Sequence, residues 1–399
     1  MTTQSNEANQ TVDQLVGEVS AERLMEVDRA IAQWERLSGS SEERQAFDYL
    51  EKTLQEIGLK TQRYNPVCLV SLPGPASLTV SGSGEQITCI THSFSTTTGP
   101  DGVSGEVFYV GSGSPADYDG KDVAGKIVLI DGLAGPGKVA PVERHGAVAV
   151  INISGPEIHE MIISPVWGSP NPSNVDTLPT LPHVSIDNAS GDKLKAALDA
   201  GKLEVKLTTQ VDTGWRPLPT LVGSLMPTRP TDEYVLFSGH VDSWYYGAMD
   251  NGSANASMVE TMRILAGHRD LLRREIRVAF WSGHSHARYG SSAWFADEFW
   301  QDLNDHCVAH VNIDSPGGMG ATVLTEANTM AETYDLAREL IEYLTDQELN
   351  YARISRMGDQ SFWGVGIPSL FCSISSQPAG GGPDLETAIG GGRRRSGGL

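Results

Sequence analysis

Tyr234-Val-Leu-Phe-Ser-Gly-His-Val-Asp242 is a short, nearly continuous apolar run that stops on a histidine and a carboxylate. Two later runs repeat the shape: Ile276–Trp281 leads into Gly283-His284-Ser285-His286, and Cys307–Ile313 leads into Asp314. Short runs with little alternation suit strands buried on both faces. Between the first two, Met258, Met262 and Leu265 have helical spacing. Met330, Tyr334, Ala337, Ile341 and Leu344 mark another long amphipathic helix. Strands alternating with helices predict an α/β domain with a mixed, largely parallel sheet flanked by helices.

The texture changes on the N-terminal side of these runs. Residues 11–59 read as helical, with Ser40 and Glu43 at the spacing of a capping box and Phe47, Leu50, Leu54 and Ile57 on one face. From about Pro66 to Pro217, short β-branched runs such as Glu106–Val110, Lys126–Ile130 and Ala147–Ile153 alternate with Gly, Pro, Asp and Ser clusters. This predicts a β-rich insertion over 66–217, with 1–65 and 218–399 as the two parts of the domain it interrupts. After Gln377 the chain turns Gly-rich and ends in Arg393-Arg-Arg-Ser-Gly-Gly-Leu399, which reads as a truncated or altered C-terminus.

Composition limits the function classes. The 399 residues carry 50 acidic and 29 basic side chains, a formal net charge of −21. Phosphate-backbone affinity comes from clustered Lys and Arg, so a nucleic-acid partner is not expected. No apolar stretch approaches the roughly 18 residues that span a bilayer, so no membrane partner is expected either. Met1–Glu18 has neither a basic nor an apolar leader region, which predicts a cytoplasmic protein. Cys68, Cys89, Cys307 and Cys372 lack C-x-x-C spacing and read as separate thiols.

Open α/β sheets bind ligands beyond the carboxyl ends of their strands. His240, Asp242, Asp250, His284, His286 and Asp314 are therefore expected to converge on one region. Imidazole and carboxylate donors together suit one or two divalent ions, zinc first, with manganese or cobalt as alternatives. Trp244, Tyr245, Tyr246 and Tyr289 lie close in sequence and are candidates for lining a substrate pocket. Gly283-His284-Ser285-His286-Ala287 also comes near the G-x-S-x-G nucleophile elbow. That reading is excluded as the chain stands: its fold needs a His after the acid, and no His follows Asp314.

The stretch Gly239–Ala254, then Arg273–Trp281, Val311-Asn-Ile-Asp-Ser315 and Leu37-Ser-Gly-Ser-Ser-Glu-Glu43 resemble the zinc-dependent exopeptidases that include glutamate carboxypeptidase and bacterial leucyl aminopeptidases. The insertion resembles a protease-associated domain at Val107–Gly111, Asp122–Leu129 and His145–Ala149. The resemblance implies that His240 and Asp314 bind metal and that Asp250 bridges two ions. It implies that Asp242 orients the His240 imidazole from behind. It also implies a Glu-Glu pair, general base and ligand, at the positions where this chain has His284 and Ser285. His284 is then the expected base and His286 the expected replacement ligand. The activity so implied is attack by a metal-activated water on a peptide or other amide bond, with a peptide or small amide as the partner and a homo-oligomer as a further expectation. The alternative is a binding or scaffold protein that keeps the architecture without catalysis.

Overall fold

The computed structural model describes residues 3–373 apart from 319, 324–325 and 357. The altered C-terminus expected after Gln377 lies outside these residues. Two eight-stranded mixed sheets organise the chain. In the first, the strands run in the order Lys60–Tyr64, Thr220–Leu225, Glu275–Trp281, Tyr234–His240, Cys307–Asp314, Ser369–Ser373, Glu326–Thr329, Asn350–Arg353. Its centre is parallel, with Tyr234–His240 between Glu275–Trp281 and Cys307–Asp314. Antiparallel pairs flank this centre on both sides, and the last pair, Glu326–Thr329 with Asn350–Arg353, is parallel again. The three apolar runs are thus adjacent central strands, and the sequence pattern missed the shorter flanking ones.

Helices cover both faces of this sheet. On one side Ala21–Ile31, Ser41–Glu56 and Ala254–Gly267 pack Ile31, Phe47, Leu50, Met258 and Met262 onto Leu221, Val278 and Phe280. On the other, Gly290–Glu298 and Trp300–His306 bring Phe295 and Leu303 against Leu236, Ala279 and Trp281. Phe280 and Trp281 therefore point to opposite faces, and both are fully buried. Burying a side chain of this size contributes about 2–3 kcal/mol. Ser40 caps the helix Ser41–Glu56 by accepting from the Glu43 amide at 3.0 Å. The reciprocal arm of the expected box is shifted by one residue, since the Glu43 carboxyl accepts from the Gly39 amide at 2.6 Å.

The second sheet lies within residues 67–217. Its longest strands, Val67–Val80 and Glu204–Pro217, leave and re-enter the first sheet's domain as one antiparallel ribbon, paired from Val67↔Pro217 to Val80↔Val205. Beyond it Val103–Gly111, Ile127–Asp131, Ala149–Ile153 and His183–Ile186 run parallel. The helices Pro136–Arg144 and Asn188–Ala200 lie in the same region, which a strand-rich reading did not foresee. All four cysteines are free thiols. Among the described residues no helix is long and apolar enough to cross a membrane.

Candidate metal centre

Parallel register places the ends of the central strands side by side. His240 pairs with Trp281, and Ser238 with Asn312, so His240, the turn after Trp281 and Asp314 emerge together. Two glycines permit this crowding. Gly283 turns the chain out of its strand at φ +84°, where a β-carbon would meet Leu218 at 2.5 Å. At Gly239 a β-carbon would meet the Ile313 carbonyl at 2.9 Å.

His240, His284 and Asp314 each bring a donor atom within 4.8 Å of the others. The rings of His240 and His284 are stacked, with centroids 3.8 Å apart and planes inclined by 15°. His240 Nε2 lies 3.1 Å from Asp250 Oδ1 and 3.7 Å from Asp314 Oδ1. Ligand atoms held at zinc distances in a tetrahedron lie about 3.3 Å apart, between these two values. His240 Nε2 and Asp250 Oδ1 are both buried and face each other, and among the described residues neither finds a well-aligned hydrogen-bond partner. Burial alone would discharge the His240 ring, but the Asp250 and Asp314 carboxylates overcome it and hold the imidazole well above its ordinary pKa. Burial likewise works against ionising Asp314, yet the His240 ring keeps its carboxyl below the usual range. The two carboxylates thus favour positive charge at Nε2, and the donors suit a divalent metal of the zinc type.

The tautomer of His240 is fixed from behind. Its Nδ1 lies 2.8 Å from the main-chain carbonyl of Asp242, so Nδ1–H donates there and Nε2 is the nitrogen left to meet a proton or a metal ion. The contact comes from the Asp242 backbone, because the carboxylate Oδ1 stands 3.8 Å from the ring. That carboxylate is fully buried and holds the neighbouring turn instead. It accepts from Ser38 Oγ at 2.7 Å, from the Ser285 amide at 2.7 Å and from the His284 amide at 3.2 Å. Burial opposes its charge, but His240, His284 and the Ser285 amide bring its pKa down.

The structure does not bring His286 to this group. The chain's turn at Gly283 directs its side chain toward Ser38, whose amide donates to Nδ1 at 3.4 Å. Its Nε2 lies 3.2 Å from Glu160 Oε1 of the inserted region. Ser285 is buried, and its amide is what secures Asp242. Of the four aromatic candidates, Tyr289 meets the His284 ring edge-on at 4.9 Å, and Trp244 faces His159 of the insertion at 5.2 Å. Tyr245 and Tyr246 are exposed.

Two residues that sequence reasoning passed over complete the site. Arg36 is fully buried, and its guanidinium donates to the carbonyls of Val241, Ile31, Trp34, Tyr246 and Gly247 at 2.7–3.1 Å. It clamps the loop that carries Asp242 toward Asp250. Burial lowers its pKa to about 10, so it remains charged at neutral pH. Asp359 is also buried, and its Oδ2 lies 2.9 Å from His284 Nδ1.

Comparison with known proteins agrees with this architecture. Residues 220–373 match the family model described as Peptidase family M28, and residues 103–194 match that of the PA domain. The chain is 30% identical to a probable glutamate carboxypeptidase of Zea mays over 29% of this chain, a match that spans 17% of that protein. It is 25% identical to carboxypeptidase Q of Xenopus laevis over 85% of this chain and 75% of that one. Among solved structures, a zinc aminopeptidase from Bacillus subtilis superposes with a TM-score of 0.64 at 22% identity, covering 91% of this chain and 86% of that chain. At that identity the likeness shows the fold alone. The sheet that carries the site is therefore similar over residues 220–373 to Peptidase family M28, and the region ahead of its central strands is similar over residues 103–194 to the PA domain.

Proposed function

We propose that this protein is a metal-dependent amide-bond hydrolase of the aminopeptidase or carboxypeptidase type, acting on peptides or small amides. The observation that carries the reading is the convergence of buried donor atoms, His240 Nε2 facing Asp250 Oδ1 at 3.1 Å and Asp314 Oδ1 at 3.7 Å, at the strand ends. His240, Asp250 and Asp314 are the proposed ligands, and zinc is the metal that best suits them. Such an ion lowers the pKa of water and polarises a carbonyl.

The chain's own residues supply the rest. His284, stacked on His240, is the base positioned to take a proton from the attacking water and return one to the leaving amine. Asp242 fixes the 284–285 turn and so the placement of that base. We leave His286 out of the ligand set and assign it to the contact with Glu160 of the insertion. Trp244 and Tyr289 line the approach, with the PA domain forming one wall of the cleft.

A binding-only reading has one feature in its favour: Ser285 stands where the resemblance calls for a ligand carboxylate. Elemental analysis separates the two. The catalytic reading expects purified protein to hold zinc close to stoichiometrically after reconstitution, and His240→Ala to lose at least nine-tenths of it. Zinc retained in His240→Ala, or no zinc in the wild type, would sink the hydrolase reading.

A further inference from the structure

We infer that Asp359 is a positioning residue for His284, and that Trp167 of the inserted domain secures it through two serines. The inference rests on the hydrolase reading for its catalytic meaning, while its geometry stands independently. His284 Nδ1 lies 2.9 Å from Asp359 Oδ2. A carboxylate oxygen only accepts, so the Nδ1 proton belongs to His284 and its lone pair sits on Nε2. The same nitrogen arrangement holds in His240, whose Nδ1 is occupied by the Asp242 carbonyl. In both stacked rings Nδ1 is thus committed to an oxygen acceptor, and Nε2 is the nitrogen turned toward the site.

The second oxygen of Asp359 explains how the carboxylate is held. Oδ1 accepts from Ser292 Oγ at 2.7 Å. Having given its only proton to Asp359, Ser292 Oγ must accept from Ser361 Oγ, 3.1 Å away. Ser361 Oγ in turn accepts from Trp167 Nε1 at 3.0 Å. The Trp167 indole also stacks against Tyr289, with centroids 4.2 Å apart, and Tyr289 meets the edge of His284. All the donors in this chain run one way, from Trp167 through Ser361 and Ser292 to Asp359, and His284 donates from the other side.

Burying a carboxylate is costly unless donors surround it, and among the described residues Asp359 is met by the Ser292 hydroxyl and the His284 imidazole. An amide would serve less well, because it offers one acceptor and its NH2 group would face either His284 Nδ1–H or the Ser292 hydroxyl. The carboxylate accepts on both oxygens at once and so fixes the ring plane of His284 against the Ser292 hydroxyl, which turns Nε2 toward the site.

Ring-nitrogen NMR on the protein labelled with 15N-histidine tests the inference, with the His284 signal assigned by its loss in His284→Asn. The wild type, metal-free and zinc-loaded, is expected to carry the neutral His284 proton on Nδ1. Asp359→Asn is expected to populate the Nε2–H form and to lower kcat about 100-fold with KM little changed. Trp167→Phe keeps the stacking, loses the Nε1 donor and should lower kcat about fivefold. A wild-type His284 protonated on Nε2, or an Asp359→Asn spectrum identical to wild type, overturns the inference. The wild-type spectrum decides the matter even where Asp359→Asn fails to fold. Absence of hydrolysis by the wild type on any amide would sink the hydrolase reading and leave this spectral test standing.

Discussion

Replacing Arg36 with Met would remove a charged donor set that serves five main-chain carbonyls and a positive charge that faces the Asp242, Glu43, Asp250 and Asp28 carboxylates. Each contact is 2.7–3.1 Å long, and the side chain is fully buried, so water cannot take its place. A net hydrogen bond is worth about 1 kcal/mol, and stripping a buried charged group from its partners costs about 3–5 kcal/mol. The two estimates agree on about 4 kcal/mol for Arg36→Met. At about 2 °C per kcal/mol for a folding unit of this size, the unfolding midpoint should fall by about 8 °C. Arg36→Lys keeps the charge on a single nitrogen and should recover about half of the loss. Thermal unfolding followed by near-ultraviolet circular dichroism measures both. A shift smaller than about 2 °C for Arg36→Met would refute the clamp, because the Val241–Gly247 loop would then be held by something else.

Three further outcomes are expected. In Asp242→Asn an NH2 group must face one or more of the three donors that now converge on the carboxylate, at a cost of about 3 kcal/mol; urea titration reads it, and a midpoint unchanged from wild type would count against the anchoring role. Burial holds the imidazole of His310 down at about 3, so below about pH 6.5 the unfolded chain takes up a proton that the native one refuses, and stability falls as the pH drops toward 3. Glu43, pushed up by burial and by Asp242, works in the opposite sense, so the clean measurement is a difference: between pH 7 and 5.5 the wild type should lose about 1 kcal/mol more than His310→Gln. Burial likewise raises the Cys68 and Cys307 thiols to about 11 and about 12, so both should react slowly with a thiol reagent at pH 8 and quickly once urea unfolds the chain.

The central strands were legible because burial on both faces leaves a continuous apolar run, and the residues at their ends could be read as a cluster for the same reason. His240 and Asp314 needed nothing more than strand adjacency. Arg36 left no such trace: its partners are main-chain carbonyls, which no side-chain pattern reports. Asp359 stands in Gly358-Asp359-Gln360, which reads as an ordinary turn, and it reaches His284 across 75 residues of chain. The expectation for His286 failed to anticipate that two positions apart in a tight turn can face different neighbours. The helix Pro136–Arg144 was hidden by Gly137 and Pro141, whose low helical propensity tertiary packing overrides.

The paired ribbon at the base of the insertion has a thermodynamic consequence for its host. Tyr64 and Thr220 are partners in neighbouring strands of the first sheet, yet roughly 155 residues separate them along the chain. Holding that pair together across an unstructured loop of such length would cost about 3 kcal/mol more than across a four-residue turn. Pairing Val67 with Pro217 brings the two ends together within the insertion itself, so the closure is complete once the second sheet exists. The edge of the first sheet is therefore, in energetic terms, an enlarged hairpin whose turn is a folded domain, and loosening that domain loosens the edge.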